Sequence, residues 1–301
     1  MLVGGVFAVA YDGEGKRALA SGASAIFQYD GDDWRAIRAP AGAAPARALV
    51  RGAAPERVYL AGWTGLYRSE DWGGTWVDAG QGLPSDPVEA LLVVSAATGE
   101  VVYAIAGSRL WRSDDGGQQW APIHLGLGGA RVEAVALEDS VGRLFTVANG
   151  RLFVSEDGGL HWMPAGRPLP DSNVLTRGIA MLGDVVLLAS DRGVYRSPDR
   201  GEHWEFRSDN LPAHLEAGPL VRDPTSSSTA YVGFSFTPYA DLWRRAADGR
   251  SALGRLDLTT LAGAVALLLL VGLGSAAALR RLAASYYRAP VRASGASKNV
   301  S

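Results

Sequence analysis

Four aspartates, Asp71, Asp115, Asp157 and Asp199, recur in one pattern, Ser-x-Asp-x-Gly-x-x-Trp. The copies open at Ser69, Ser113, Ser155 and Ser197, carry Gly73, Gly117, Gly159 and Gly201, and close at Trp76, Trp120, Trp162 and Trp204. A carboxylate beside a hydroxyl is raw material for metal binding or acid–base chemistry. The spacing argues against both. Trp34, Trp76, Trp120, Trp162 and Trp204 follow one another at 42, 44, 42 and 42 residues. Equivalent acids on separate repeats cannot converge on one ion or one bond. Their chemistry is local. An Asp in a tight loop accepts hydrogen bonds from backbone N–H groups just ahead of it, and the Ser hydroxyl does the same. The Gly supplies a backbone angle that a side chain would penalise. The Trp buries an apolar face while its N–H finds a carbonyl.

The elements around the pattern are short apolar runs. Val58–Gly62, Val101–Ala106, Leu144–Ala148 and Val185–Ala189 each lead through a turn to Leu66-Tyr-Arg, Leu110-Trp-Arg, Leu152-Phe-Val or Val194-Tyr-Arg. Runs of this length broken by Gly or Asn read as hairpins. A further apolar run precedes each hairpin, at residues 48–50, 90–94, 135–137 and 179–181. The order is strand, turn, strand, turn, strand, Asp-containing loop, then a strand opening at the Trp. A period in the low forties is the length of one four-stranded propeller blade. Two weaker copies flank the good ones. Residues 6–34 keep a Gly and the Trp, and residues 230–249 keep Leu242-Trp-Arg and a Gly. The expected fold is all-β: a β-propeller of about six four-stranded blades, followed by one C-terminal transmembrane helix.

The repeat resembles the Asp-box, or BNR repeat. That resemblance implies a propeller, and it spans most of the first 250 residues. It leaves the activity open, because Asp-box proteins include sialidases, xyloglucanase-type glycoside hydrolases, sortilin-type receptors and photosystem II assembly-factor propellers.

Charge and composition narrow the partners. There are 29 basic against 31 acidic residues, with no concentrated basic surface, so nucleic acid is not an expected partner. There are no cysteines, which excludes disulfides, thiol catalysis and cysteine metal sites. Lys16 and Lys298 are the only lysines, a composition pointing to a GC-rich bacterial genome.

Residues 258–279 hold no charged residue over a length that crosses a bilayer as a helix. The expected organisation is a propeller over 1–250, a linker over 251–257, the span over 258–279 and a basic, disordered tail over 280–301. Arg280, Arg281, Arg288, Arg292 and Lys298 follow the span; Arg244, Arg245, Arg250 and Arg255 precede it. The positive-inside rule therefore votes for an internal C-terminus and an exported propeller. Export normally needs a leader, and Met1–Ala10 lacks a basic n-region and a cleavage site. The expectation is an N-terminus upstream of Met1.

Sialidase-type enzymes carry an arginine triad, a Tyr–Glu pair and a Phe/Tyr-Arg-Ile-Pro segment near the start, and no such segment is present. Ala36-Ile-Arg-Ala-Pro40 is the nearest match and lies after the first Trp. The four histidines, His124, His161, His203 and His214, form no triad or zinc pattern. No catalytic residue, metal or cofactor is assigned. One constellation remains. Aligning the inner strands puts Phe7, Arg47, Glu89, Glu133, Arg177 and Glu216 at one blade position. In a propeller those positions ring one mouth of the central channel, where Arg47 beside Glu89 and Glu133 beside Arg177 would attract each other. The resulting reading is a membrane-anchored, non-catalytic propeller that binds another protein or a glycan; the alternative is a degenerate glycoside hydrolase of sialidase type. A chain truncated after Gly249 is expected to lose carbonate-resistant membrane association, and sedimentation of the truncated chain with washed membranes would refute the span.

Overall fold

The computed structural model describes residues 6–96, 99–124, 126–138, 142–171, 174–207, 216–222, 226 and 228–235. These form five four-stranded antiparallel sheets and one two-stranded sheet. Blade 1 holds β1 (Ala8–Tyr11), β2 (Ala18–Ser21), β3 (Ile26–Tyr29) and β4 (Trp34–Ile37). Blade 2 holds β5 (Ala48–Arg51), β6 (Val58–Ala61), β7 (Leu66–Ser69) and β8 (Val77–Asp78). Blade 3 holds β9 (Val88–Ala96), β10 (Gly99–Ala106), β11 (Arg109–Ser113) and β12 (Ala121–Pro122). Blade 4 holds β13 (Val132–Glu138), β14 (Arg143–Ala148), β15 (Arg151–Ser155) and β16 (Met163–Ala165). Blade 5 holds β17 (Thr176–Leu182), β18 (Val185–Ser190), β19 (Gly193–Ser197) and β20 (Glu205–Arg207). In blade 6 the described strands are β21 (Glu216–Arg222) and β22 (Ala230–Ser235). The chain is thus a six-blade propeller, as the period of the Trp residues predicts. The span expected at 258–279 lies outside the described residues, and among those residues no helix is long and apolar enough to cross a membrane.

Inner strands pack in sequence order, β1 on β5, β5 on β9, β9 on β13, β13 on β17 and β17 on β21. The core lies between blades. Leu19 and Ile26 of blade 1 meet Leu49, Leu60 and Trp72 of blade 2. Tyr59 and Leu66 meet Val102 and Ala104 across the next interface. Ile105 and Leu110 meet Val132 and Leu144, and Phe145 and Leu152 meet Ile179 and Leu188. Alternation along each strand sends successive side chains to opposite neighbours, so one sheet feeds two apolar layers.

The Asp-box loops join the third strand of a blade to its fourth. In every box the Ser Oγ accepts the N–H of the Gly four residues on, at 2.7–2.8 Å, and donates to the Asp Oδ1 at 2.7–2.9 Å. The same Oδ1 accepts the backbone N–H of Thr75, Gln119, His161 or His203 at 2.8–2.9 Å. The box serines are buried, with 0–1% of their surface exposed, and the aspartates lie at the surface. Two consecutive residues take left-handed angles in each box: Trp72–Gly73, Gly116–Gly117, Gly158–Gly159 and Arg200–Gly201. That double bend turns the loop outward and pushes the Gly against the preceding blade. A Cβ on Gly73 would meet Ile37 at 2.9 Å, and one on Gly117 would meet Ala79 at 3.0 Å.

Each box is therefore a knob on one blade docked against the blade before it. Third-strand side chains of the preceding blade hold it by the carbonyl at the bend. Gln28 Nε2 donates to Trp72 O, Arg68 Nη1 to Gly116 O, and Arg112 Nη1 to Gly158 O at 2.7 Å. Val154 stands at that position in blade 4 and cannot donate. There the polarity reverses, and Arg200 of the box reaches back to Glu138 at 3.0 Å. Trp120 Nε1 donates to Ala79 O at 2.8 Å and Trp204 Nε1 to Arg167 O at 3.0 Å, both on the preceding blade, while Trp162 Nε1 bonds Gly159 O within its own box. Trp76 Nε1 is buried without a partner.

Asp115→Ala is expected to cost about 1–3 kcal/mol, because it strips two backbone N–H groups and a hydroxyl of their acceptor; a thermal melt measures the loss. Acid should cost the boxes of Asp157 and Asp199 the most. The side chain and then the backbone N–H of His203 hold Asp199 at about 2, below its usual 3.8, and the His161 backbone and ring hold Asp157 lower still. A carboxyl depressed by folding stabilises above its unfolded value and loses that contribution as pH falls through its folded value. Melts between pH 4 and pH 2, roughly the span between those values, should fall more steeply in the wild type than in Asp157→Asn/Asp199→Asn.

Candidate functional site

Antiparallel order fixes what each face displays. Starts of inner strands, turns between second and third strands, and blade-to-blade linkers share one face; the boxes and first hairpins share the other. The channel-mouth residues of the sequence analysis belong to the first face. Register supports their equivalence. Arg47, Glu89, Glu133 and Arg177 each precede a small residue, Ala48, Ala90, Ala134 or Gly178, paired with Ala61, Ile105, Val147 or Ala189. Phe7 stands likewise before Ala8, which pairs with Ser21. In blades 3, 4 and 5 the pairing shifts at this residue, so Glu89, Glu133 and Arg177 each occupy a β-bulge. A bulged residue lacks a cross-strand partner and is re-aimed away from the sheet. Glu216 starts β21, but the shift in blade 6 falls later, between Ala217 and Leu220.

Among the described residues no ion pair joins Arg47 to Glu89 or Glu133 to Arg177. Arg47 lies over the Trp63 ring at 5.0 Å, at the tip of the β6–β7 turn of its own blade. Glu89 is exposed. Glu133 accepts the backbone N–H of Thr176, the first residue of β17, at 2.9 Å. The bulge is the physical reason: it swings Glu133 across to the next strand's backbone, which holds a carboxylate without another ion. Burial pushes the Glu133 carboxyl up, the Thr176 N–H and Arg131 offset part of this, and Asp191 adds to it. Linker and turn brace the mouth further. Trp63 N–H donates to Gly42 O, Leu175 N–H to Asp191 Oδ1, and Arg131 N–H to Asn149 Oδ1.

Carboxylates of the other face are engaged in structural work. Glu100, 5% exposed, takes the Ala53 N–H at 2.6 Å, Arg57 at 2.7 Å and the Tyr59 hydroxyl. Burial raises the Glu100 carboxyl, and those three donors together bring it below its usual range. This Tyr–Glu pair is sealed between blades 2 and 3, with Tyr59 fully buried, and no substrate reaches it. Among the described residues no group of three or more His, Asp or Glu is placed to hold a metal ion. Sequence reasoning missed the clamp donors Gln28, Arg68 and Arg112 and the buried Glu100. The repeated Arg of Leu-aromatic-Arg-Ser was the available signal for two of them; nothing local marked Glu100.

The BNR-Asp box repeat family profile matches residues 66–79, the first good copy with its preceding strand. No curated protein matches the sequence. Among solved structures, YCF48 bound to a D1 peptide aligns with a TM-score of 0.57 at 18% identity, over 76% of this chain and 74% of that one. An ancestral GH74 enzyme aligns with a TM-score of 0.62 at 15% identity, over 76% of this chain and 35% of that one. The GH74 xyloglucanase from Xanthomonas campestris aligns with a TM-score of 0.55 at 17% identity, over 76% and 43%. This chain thus spans less than half of either enzyme, and at these identities the likeness establishes the fold alone. The chain is a β-propeller that carries the BNR-Asp box repeat.

Glu133→Gln should keep the Thr176 hydrogen bond and remove the buried charge. A carboxyl raised by folding stabilises below its unfolded value and loses that contribution as pH rises through its folded value. The variant's melting temperature should therefore exceed that of the wild type at pH 7, and the gain should shrink toward pH 4, near the ordinary carboxylate range.

Proposed function

We propose that this protein is a membrane-anchored, non-catalytic scaffold whose channel-mouth face binds another protein. The carrying observation is the division of labour between the two faces. Box carboxylates and Glu100 are consumed by backbone and arginine partners. The opposite face presents Phe7, half exposed, the Arg47–Trp63 stack and exposed Glu89 on three successive blades. An aromatic, a guanidinium and a carboxylate at matched register favour recognition over bond cleavage. Glycoside hydrolysis needs two open carboxyl groups about 5–10 Å apart, and the Tyr59–Glu100 pair is closed to substrate. YCF48 with its D1 peptide is a propeller of this fold in a peptide complex, which supports the reading by analogy. The uncharged run at 258–279 supports the anchor, and the arginines after it support a propeller outside the cytoplasm.

The test uses the full chain in detergent. Arg47→Ala/Arg177→Ala should leave the melting temperature within a few degrees and reduce recovery of the partner from solubilised native membranes several-fold. Undiminished recovery with intact folding would overturn the assignment of the mouth.

A further inference from the structure

A cleft of about 200 Å³ opens on the channel-mouth face, between the β6–β7 turn and the linker that leads into β9. It lies beside the mouth residues. Trp63 precedes Thr64 of its lining, and Glu89 follows Val88. The floor is apolar: Leu66 and Val88 are buried, and Leu83 is half-buried. The rim is acidic, carrying Asp78 and Asp86, both exposed, and no Lys or Arg lines the cleft. Asp78 Oδ1 accepts the Gly80 N–H at 2.8 Å, which anchors the exposed carboxylate at the rim. Among the described residues Asp86 makes no hydrogen bond or ion pair, nor does Glu89. Elsewhere in this protein arginines answer most buried or bracing acids, as Glu56, Glu70, Glu100 and Glu138 illustrate.

We propose that this cleft receives a lysine or arginine side chain of the docked partner protein. The inference rests on the protein-binding reading above and names the chemistry of the partner segment. Long basic side chains lay their methylene stems along apolar surface and keep the charged head among polar groups. The Leu66–Leu83–Val88 floor suits the stem, and Asp78 and Asp86 suit the head. An acidic side chain would meet two carboxylates of its own sign, and an apolar one would cover them without giving either a partner. The adjacent Trp63 offers surface for an apolar residue flanking the basic one.

The probe is a fluorescein-labelled hexapeptide, glycine-leucine-valine-lysine-leucine-glycine, with norleucine and glutamate versions at the lysine. Anisotropy titrations use the full chain in detergent. The lysine peptide should bind on the order of tenfold more tightly than the norleucine peptide, as one ion pair of about 1.4 kcal/mol requires. Salt should erode the difference. Asp78→Asn/Asp86→Asn should abolish the preference and leave the melting temperature unchanged, since neither carboxylate braces another blade. Equal binding of the lysine and norleucine peptides, no saturable binding of the lysine peptide, or a preference surviving in the double variant would each overturn the proposal. Recovery of the partner from solubilised membranes separates the two readings. Peptide indifference with intact recovery sinks the cleft and spares the scaffold. A lysine preference in a chain whose recovery ignores the mouth residues sinks the mouth assignment and spares the cleft.

Discussion

A buried serine hydroxyl that accepts backbone N–H groups of its own loop and donates to one carboxylate organises this protein. It lets the loop hold two consecutive left-handed residues, a conformation that costs non-glycine residues about 1 kcal/mol or more. Trp72 and Arg200 pay that cost, and both are held by tertiary contacts. Trp72 is fully buried in the first inter-blade layer with Arg17 over its ring at 5.3 Å. Arg200 bridges Glu138 and Asp184. Without the Ser–Asp lock the bend would relax, the knob would withdraw, and two blades would lose their shared edge. The lock is thus a long-range device built from a local hydrogen-bond pattern.

The knobs explain why the blades stay together at their outer edges. Outer strands here are two to four residues long, too short to bury much apolar surface. Apolar layers hold the inner and middle strands, and polar contacts take over farther out. Arginines brace the box face as well, mostly where the first hairpins turn: Arg17 to Glu56, Arg57 to Glu70 and Glu100, and Arg143 and Arg200 to Glu138. Where one partner is buried, as Glu100 and Glu138 are, loss of the cation leaves an uncompensated charge and costs far more than an exposed pair would.

The two faces have diverged because their constraints differ. Box loops are tied to one geometry by the lock, so their side chains have little freedom to vary into a site. Inner-strand starts are freed by β-bulges, which point Glu89, Glu133 and Arg177 away from the sheet at small backbone cost. Chemical variety can accumulate there while the fold is preserved.

The sequence by itself determined the blade: its period, its strand order, the box loop between third and fourth strands, and the structural standing of Asp71, Asp115, Asp157 and Asp199. All of these follow from contacts a few residues apart, which a repeated pattern displays directly. It also put Arg47, Glu89, Glu133 and Arg177 in equivalent register, because the repeat length preserves position. Tertiary structure alone decided which groups they touch. Arg47 stacks on Trp63 and Glu133 captures the Thr176 N–H because bulges and turn tips, set by packing between blades, re-aim side chains by more than any spacing records. The same holds for Glu100, whose three partners lie 41 to 47 residues away on the neighbouring blade. One repeat length separates them, so nothing in either local sequence marks the meeting.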